Sequence, residues 1–360
     1  MSPPRTGSMA LTGIGMVTSV GLGAYASCAA LRAGLVRIRE LDLPQGTEGL
    51  ATRRPLVGSP IKGLTDGYFG LGRWARLAVD GLRDLLANAR LETGQLAQAG
   101  LYLGLPPSAS PERQQQLATR ITQWLQVPGL MPRIHFYPRG HASAVHALGD
   151  ALAQLRQGRL ALAVVGGLDS LVEPETLTRL RGEGRLKTDE HPVGFVPGEA
   201  SAFFLLETPL MARRRKAQVM AWLESSQLAR EPVTADSGEP CDGQGLGQAI
   251  TAAFETLEDR GAGTGLVIND LNGELYRAEE FSKAVPRVLR HLRGPWRHWH
   301  PADCIGDTGA ASGALSVCMG ARALIRGYAA TNQVLTCASS EEGLRGAVCL
   351  RSADKEDEPS

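Results

Sequence analysis

The chain has 360 residues, 43% of them hydrophobic, with 38 Lys plus Arg against 37 Asp plus Glu and a formal net charge of +1. That length supports a large buried core, and the charge balance argues against a protein that works by neutralising nucleic-acid phosphates. Forty-three glycines with only 5% aromatics, and no collagen period, point to tight turns and close backbone approaches rather than to a fibre or a disordered chain.

In chain order, residues 10–17 (ALTGIGMV) read as a buried strand entering a glycine turn, and residues 22–33 as a helix of small residues. Met9–Leu31 carries no charge, follows Arg5 and contains Ala24-Tyr25-Ala26, so a secretory signal is an alternative reading of this stretch. Gly13, Gly15, Gly21 and Gly23 interrupt it and weigh against a signal core. No other stretch reaches the length of a membrane span. Residues 71–90 place Leu71, Trp74, Leu77, Ala78, Leu82, Leu85 and Leu86 on one helical stripe. A short strand is predicted over Leu101–Leu105 and a polar helix over 111–126.

Gly140-His141-Ala142-Ser143-Ala144 is a small-residue turn opening a helix from about Val145 to Leu155. An apolar strand, Leu160–Val165, then leads into Gly166-Gly167. Residues 173–191 read as a charged loop, and Phe195–Glu207 as a glycine turn and a buried strand. Arg213-Arg214-Arg215-Lys216 reads as a solvated, dipole-matched helix end in preference to a nucleic-acid patch.

The second half repeats the plan. A strand is expected over 217–226, a helix over 245–258 and a strand over Leu266–Ile268. A second small-residue turn, Gly306–Gly313, opens a helix to about Arg326, and strands follow at Val334–Ala338 and Gly346–Leu350. Apolar strands alternating with helices indicate an α/β fold with sheets covered on both faces, and the repetition suggests an internal duplication. The predicted division is 9–216 and 217–352, with 353–360 a disordered acidic tail. Cys28, Cys241, Cys304, Cys318, Cys337 and Cys349 include no C-x-x-C. Reduced, buried thiols and a cytoplasmic location are therefore expected.

These motifs resemble the β-ketoacyl-acyl-carrier-protein synthases, the condensing-enzyme branch of the thiolase superfamily. Thr12–Gly21 is similar to that family's opening strand and turn, residues 140–148 to its nucleophile segment, and Val193–Glu199 to its Gly-Phe-x-x-Gly-Glu turn. Glu207–Ala217 resembles the crossing between halves. Asp270–Glu280 and Ile305–Ala314 resemble the two catalytic loops of the second half. The resemblance implies a five-layered αβαβα thiolase fold of two pseudo-symmetric halves, assembled as a homodimer. It also implies that the family's catalytic residues are gone. His141 stands where the cysteine nucleophile would be, Asp270 and Asp307 where the two histidines would be, and Ala302 where the lysine would be. A neutral imidazole cannot replace a thiolate as a stable acyl carrier. Two carboxylates would repel the enolate and oxyanion charge that paired histidines stabilise.

Three readings of His141, Asp270 and Asp307 stay open: a buried ion cluster filling the old cavity, a divalent metal site, or new acid–base chemistry with His141 as base. Weaker candidates are His298 and His300 as a His-x-His, expected in a loop, Cys304 as a displaced nucleophile at a strand position, and Ser143 as a hydroxyl nucleophile. The functional expectation is a non-enzymatic binding or accessory protein without cofactor. Its partner would be a protein (a secretion effector or an acyl-carrier domain) or an acyl chain, with neither nucleic acid nor membrane involved. The alternative is an acyltransferase or hydrolase with a rebuilt His/Asp site.

Overall fold

A computed structural model describes residues 7–42, 55–257 and 263–353. Ten strands form one hydrogen-bonded sheet: β1 (Met9–Thr18), β2 (Gly100–Leu105), β3 (Ile134–Pro138), β4 (Leu162–Ser170), β5 (Glu199–Glu207), β6 (Ala221–Arg230), β7 (Thr264–Ile268), β8 (Leu292–Trp299), β9 (Gln333–Ser339) and β10 (Leu344–Ser352). Their spatial order is β8-β7-β9-β10-β6-β1-β5-β4-β2-β3. From the centre outward each half therefore runs first, fifth, fourth, second, third, so the repetition in the sequence is a repetition of topology. The halves meet where Met9, Ala10 and Leu11 of β1 lie antiparallel to Leu223, Trp222 and Ala221 of β6.

The helices are α1 (Ala24–Arg32), α2 (Gly70–Ala89), α3 (Pro111–Leu125), α4 (Ser143–Arg156), α5 (Pro174–Gly182), α6 (Pro209–Arg215), α7 (Gln244–Glu255), α8 (Leu275–Val288), α9 (Ala302–Ile305) and α10 (Ser312–Ile325). Helices α2 and α3 cover the outer face of the first half-sheet, and α7 with α8 cover that of the second. Between the half-sheets lie α4 and α10, each touching strands of both. This is the five-layered thiolase arrangement. Helix α10 can fill the middle because Ser312–Leu324, apart from Arg322, are small or apolar and buried. One continuous core joins α4, α10 and both half-sheets, and two satellite cores lie beneath the outer helices.

Local chemistry explains the elements. Helix α3 starts where Ser110 accepts from the Arg113 N–H with Pro111 in the first turn, and it stops where Gln126 turns left-handed. The α2 stripe packs on β1 and β5. It can approach because a Cβ at Gly15 would stand 2.3 Å from the Gly81 carbonyl oxygen and 2.3 Å from the Leu85 nitrogen. Glu199, fully buried at the start of β5, accepts from the Ile61 N–H, Thr65 Oγ1, Ser170 Oγ and Arg73, tying the 59–65 segment to the sheet.

Several expectations are corrected. Residues 173–191 are not all loop: Pro174 starts α5, which shows only Leu177 and Leu180 as a buried stripe. Strand β3 was not foreseen because it is a half-exposed edge without an apolar run. Helix α8 was not foreseen because two of its buried positions are Arg277 and Glu280, which hide the periodicity. His298 lies in strand β8 rather than a loop, and Cys304 in helix α9 rather than a strand. In the basic stretch Arg213, Arg214 and Lys216 are exposed, but Arg215 bonds to buried Glu207 and to the Ala89 carbonyl. The stretch 9–31, weighed as a secretory signal, forms central strand β1 and helix α1. The expected acidic tail lies outside the described residues beyond Ala353, which is itself buried. No helix among the described residues is long and apolar enough to cross a membrane.

Candidate functional site

Two equivalent turns build the site, one from each half. Gly140, at φ +70°, leads into the turn Gly140–Ala142 that carries His141 at the head of α4. Gly306, at φ +67°, precedes Asp307, which is followed by the turn Gly309–Ala311 at the head of α10. Both turns lie in the middle layer and both side chains are buried, His141 4% and Asp307 2% exposed. The Asp307 backbone is fixed to the first half, its N–H donating to the Val196 carbonyl and its carbonyl accepting from Gly198 N–H. Gly309 must be glycine here: at φ +51°, a Cβ would stand 2.1 Å from Asp169 Oδ2.

His141 Nε2 lies 2.8 Å from Asp307 Oδ1 and 3.1 Å from Oδ2. Asp307 also accepts from Asn272 Nδ2 (2.6 Å) and from the Gly309 N–H (2.7 Å). Arg277 Nη2 lies 3.2 Å from His141 Nδ1 and 3.4 Å from Nε2, close to both ring nitrogens. A carboxylate only accepts, so in the neutral ring the proton sits on Nε2, donated to Asp307. Arg277 Nη1 donates to Asp270 Oδ2 (3.0 Å) and to the Ser339 carbonyl (2.7 Å), and Arg277 Nε approaches Glu274 Oε2 at 3.4 Å. Glu274 and Glu341 in turn clasp Arg185 from the first half.

Burial alone would push the Asp307 carboxyl up, but His141, Arg277 and Asn272 hold it well below the usual carboxylate range. Burial and Arg277 oppose a second proton on His141, yet the Asp307 carboxylate outweighs them and raises its proton affinity. Asp169, at the end of β4 and 4% exposed, accepts from the Ala310 and Ser170 N–H groups. Burial still pushes its carboxyl up to about 7.

The structure thus brings His141 and Asp307 into direct contact and joins Asp270 to them through Arg277. Ala302 begins α9 and lines, with Asp270 and Asp307, a space of about 10 Å³. A second space, about 30 Å³, lies between Arg277, Arg185 and Ser339. A water needs roughly 10–15 Å³, so these spaces suit water and not a ligand. Arg277, Asn272, Glu274, Arg185 and Asp169 were not found from the sequence. Asn272 and Glu274 lie inside the Asp270–Glu274 motif, whereas Arg277 and Asp169 carry no local signal.

A divalent ion at His141, Asp270 and Asp307 would have to displace Arg277, which already bonds Asp270 and faces His141, so this donor set fits a metal poorly. His298 Nδ1 and His300 Nε2 are 3.0 Å apart. His298 stacks on Phe281 at 4.5 Å, and burial, with His300 beside it, pulls its imidazole down to about 3. His298 therefore packs as a neutral aromatic ring. Burial raises the Cys304 thiol, and Ser143 Oγ is buried with no hydrogen-bond partner, so neither is an activated nucleophile.

Residues 93–211 match the family described as beta-ketoacyl synthase, N-terminal domain. The fold is similar to solved ketosynthases. One is a type II polyketide acyl-carrier protein in complex with its ketosynthase, AntDE:AntF, with TM-score 0.81, 16% identity and coverage of 98% of this chain and 100% of that one. Another is the ishigamide ketosynthase/chain length factor, with TM-score 0.76, 18% identity and coverage of 98% and 100%. A third is the ketosynthase from module 6 of the bacillaene synthase of Bacillus subtilis 168, with TM-score 0.78, 14% identity and coverage of 97% and 72%. The chain therefore carries a beta-ketoacyl synthase N-terminal sequence match over residues 93–211 and, over nearly its whole length, the thiolase fold of the ketosynthases.

Proposed function

We propose that this protein is a ketosynthase-fold binding protein that does not condense acyl units and acts by holding a protein partner. The observation that carries this is the closed His141–Asp307–Arg277–Asp270 cluster. Its side chains satisfy one another, and the spaces beside it, about 30 and 10 Å³, fall far short of the roughly 300 Å³ of a small-molecule pocket. His141 stands in for the nucleophile, Asp270 and Asp307 for the electrophilic donors and Ala302 for the lysine, so the atoms for thioester formation and enolate stabilisation are missing.

The partner reading draws on the edge of the sheet. Among the described residues, strand β3 pairs on one side only, with β2. Beside it runs a groove of about 680 Å³ holding Tyr102, His135, Tyr137 and Asp150, where Tyr102 stacks on His135 at 4.9 Å. An unpaired edge beside an aromatic groove suits strand pairing with another thiolase-fold chain, identical or related. Assemblies of ketosynthase with carrier protein and with chain length factor among the similar structures support a carrier domain or a second ketosynthase-like chain as partner.

The test is to incubate the protein with acyl- and malonyl-loaded carrier protein, following intact mass, malonyl decarboxylation and complex formation by native mass spectrometry. The expected result is a complex, no acyl adduct and no decarboxylation above background. An adduct on His141, or ester or thioester turnover abolished by His141→Ala, would replace this reading with the rebuilt acyltransferase or hydrolase. Asp169, titrating near neutrality beside the cluster, would then be the first residue to examine.

A further inference from the structure

Outside the central cluster, three segments of the second half bring another set of donors together. Glu231 directly follows β6, Cys241 lies in the loop before α7, and Glu280 sits in α8. Each is about 1% exposed, and one donor atom from each lies within 4.8 Å of the other two. The loop is pressed onto α8: at Gly243, φ +67°, a Cβ would stand 2.4 Å from the Glu280 carbonyl oxygen. We propose that Glu231, Cys241 and Glu280 form a buried site for a divalent transition-metal ion, with Zn²⁺ the best match to one sulfur and two oxygen donors.

The hydrogen bonds around the three residues are uneven. Glu280 is supported, with Oε2 accepting from Ser339 Oγ (2.7 Å) and Oε1 from Arg345 Nε (2.5 Å). Glu231 Oε2 accepts from the Gly245 N–H in the first turn of α7 (2.8 Å). Glu231 Oε1, however, is buried and has no hydrogen-bond partner. A carboxylate oxygen out of water with nothing to bond is costly, and this one lies in the group that also presents a thiol. Arg345 compensates one of the two carboxylates and leaves the other. A divalent ion that takes up the Cys241 thiolate brings the whole group to neutrality.

Binding would release the Cys241 thiol proton, as thiolate ligation requires. Ser339 and Arg345 orient Glu280, and Arg345 Nη2 also donates to the Tyr276 hydroxyl at 2.9 Å, an outer layer of the kind that fixes metal ligands. The preceding loop residues Ala235–Pro240 are all exposed.

The test uses the full chain, stripped with chelator and titrated with Co²⁺ while the near-ultraviolet thiolate-to-cobalt absorption is followed, with Zn²⁺ then added as competitor. One equivalent should bring up the band, Zn²⁺ should bleach it, and Zn²⁺ should raise the melting temperature. Cys241→Ser should abolish the band, and Glu231→Gln should abolish stoichiometric binding while keeping side-chain shape. Near-ultraviolet circular dichroism checks that each variant is folded. No band in the wild-type chain, or an unchanged band in Cys241→Ser, overturns the proposal. If Cys241→Ser does not fold, unchanged Co²⁺ binding by Glu231→Gln overturns it equally.

Discussion

Removing Asp307 would leave the Arg277 guanidinium buried beside His141 with one counter-charge fewer, the Gly309 N–H without its side-chain acceptor, and Asn272 Nδ2 with only Glu274 to donate to. Breaking a buried pair from one side costs about 3–5 kcal/mol, so Asp307→Ala should lower unfolding free energy by that order in urea melts at neutral pH. The pair also has a pH signature. The Asp307 carboxyl is held below its ordinary value, so its contribution is present above the ordinary carboxylate range and is lost as pH falls toward the folded value. The His141 imidazole is raised, so its contribution is present below about pH 6.5 and fades as pH rises through the folded value. Asp307→Asn should therefore lose less stability than wild type on acidification, and an equal loss would mean that Asp307 is not the titrating group. At this scale the sequence was legible where a motif framed the residue: Gly140-His141-Ala142 and Gly306-Asp307-Thr308 identified themselves as turns heading helices. Arg277 was not legible, because nothing local distinguishes an arginine that reaches inward from one that reaches into water.

Among the elements, α2 shows what makes a helix readable. Seven apolar residues on one stripe announce it, and six of them are buried, with Leu71 partly so. Helix α8 shows the opposite. Its inward stripe is Arg277, Glu280, Phe281, Ala284 and Val288, and the two charges, paired inside the protein with Asp270 and Arg345, look like a solvated face in the sequence. Strand β3 escaped for a third reason, since an edge needs no apolar run to be stable. Close packing between elements is also predictable in effect. At Gly15 even a methyl group would strike the backbone of α2 at Gly81 and Leu85. Gly15→Ala should then cost about 1–3 kcal/mol, the range for overpacking, read as a lower urea midpoint with unchanged slope. A midpoint equal to wild type would show that α2 can slide away freely.

On the scale of the whole molecule, the duplicated strand order leaves β3 and β8 as the outer strands of the sheet. Among the described residues both are parallel to a single neighbour, but β3 has the aromatic groove beside it. Sedimentation of the purified chain should therefore give a dimer, or a monomer that becomes a stable heterodimer when a thiolase-fold partner is added. A chain that stays monomeric with either would remove the edge of β3 from the functional reading.

The same order has a consequence for synthesis. In each half the first strand made lies against the last: β1 pairs with β5, and β6 with β10. As the chain leaves the ribosome, β1 has no partner until residue 199 follows, and β6 cannot complete its own half until Leu344–Ser352 emerge. Apolar strands wait with open edges for most of translation, and contacts this distant along the chain form slowly. A truncation that removes only β10 would therefore leave a half-sheet unclosed rather than a slightly smaller protein.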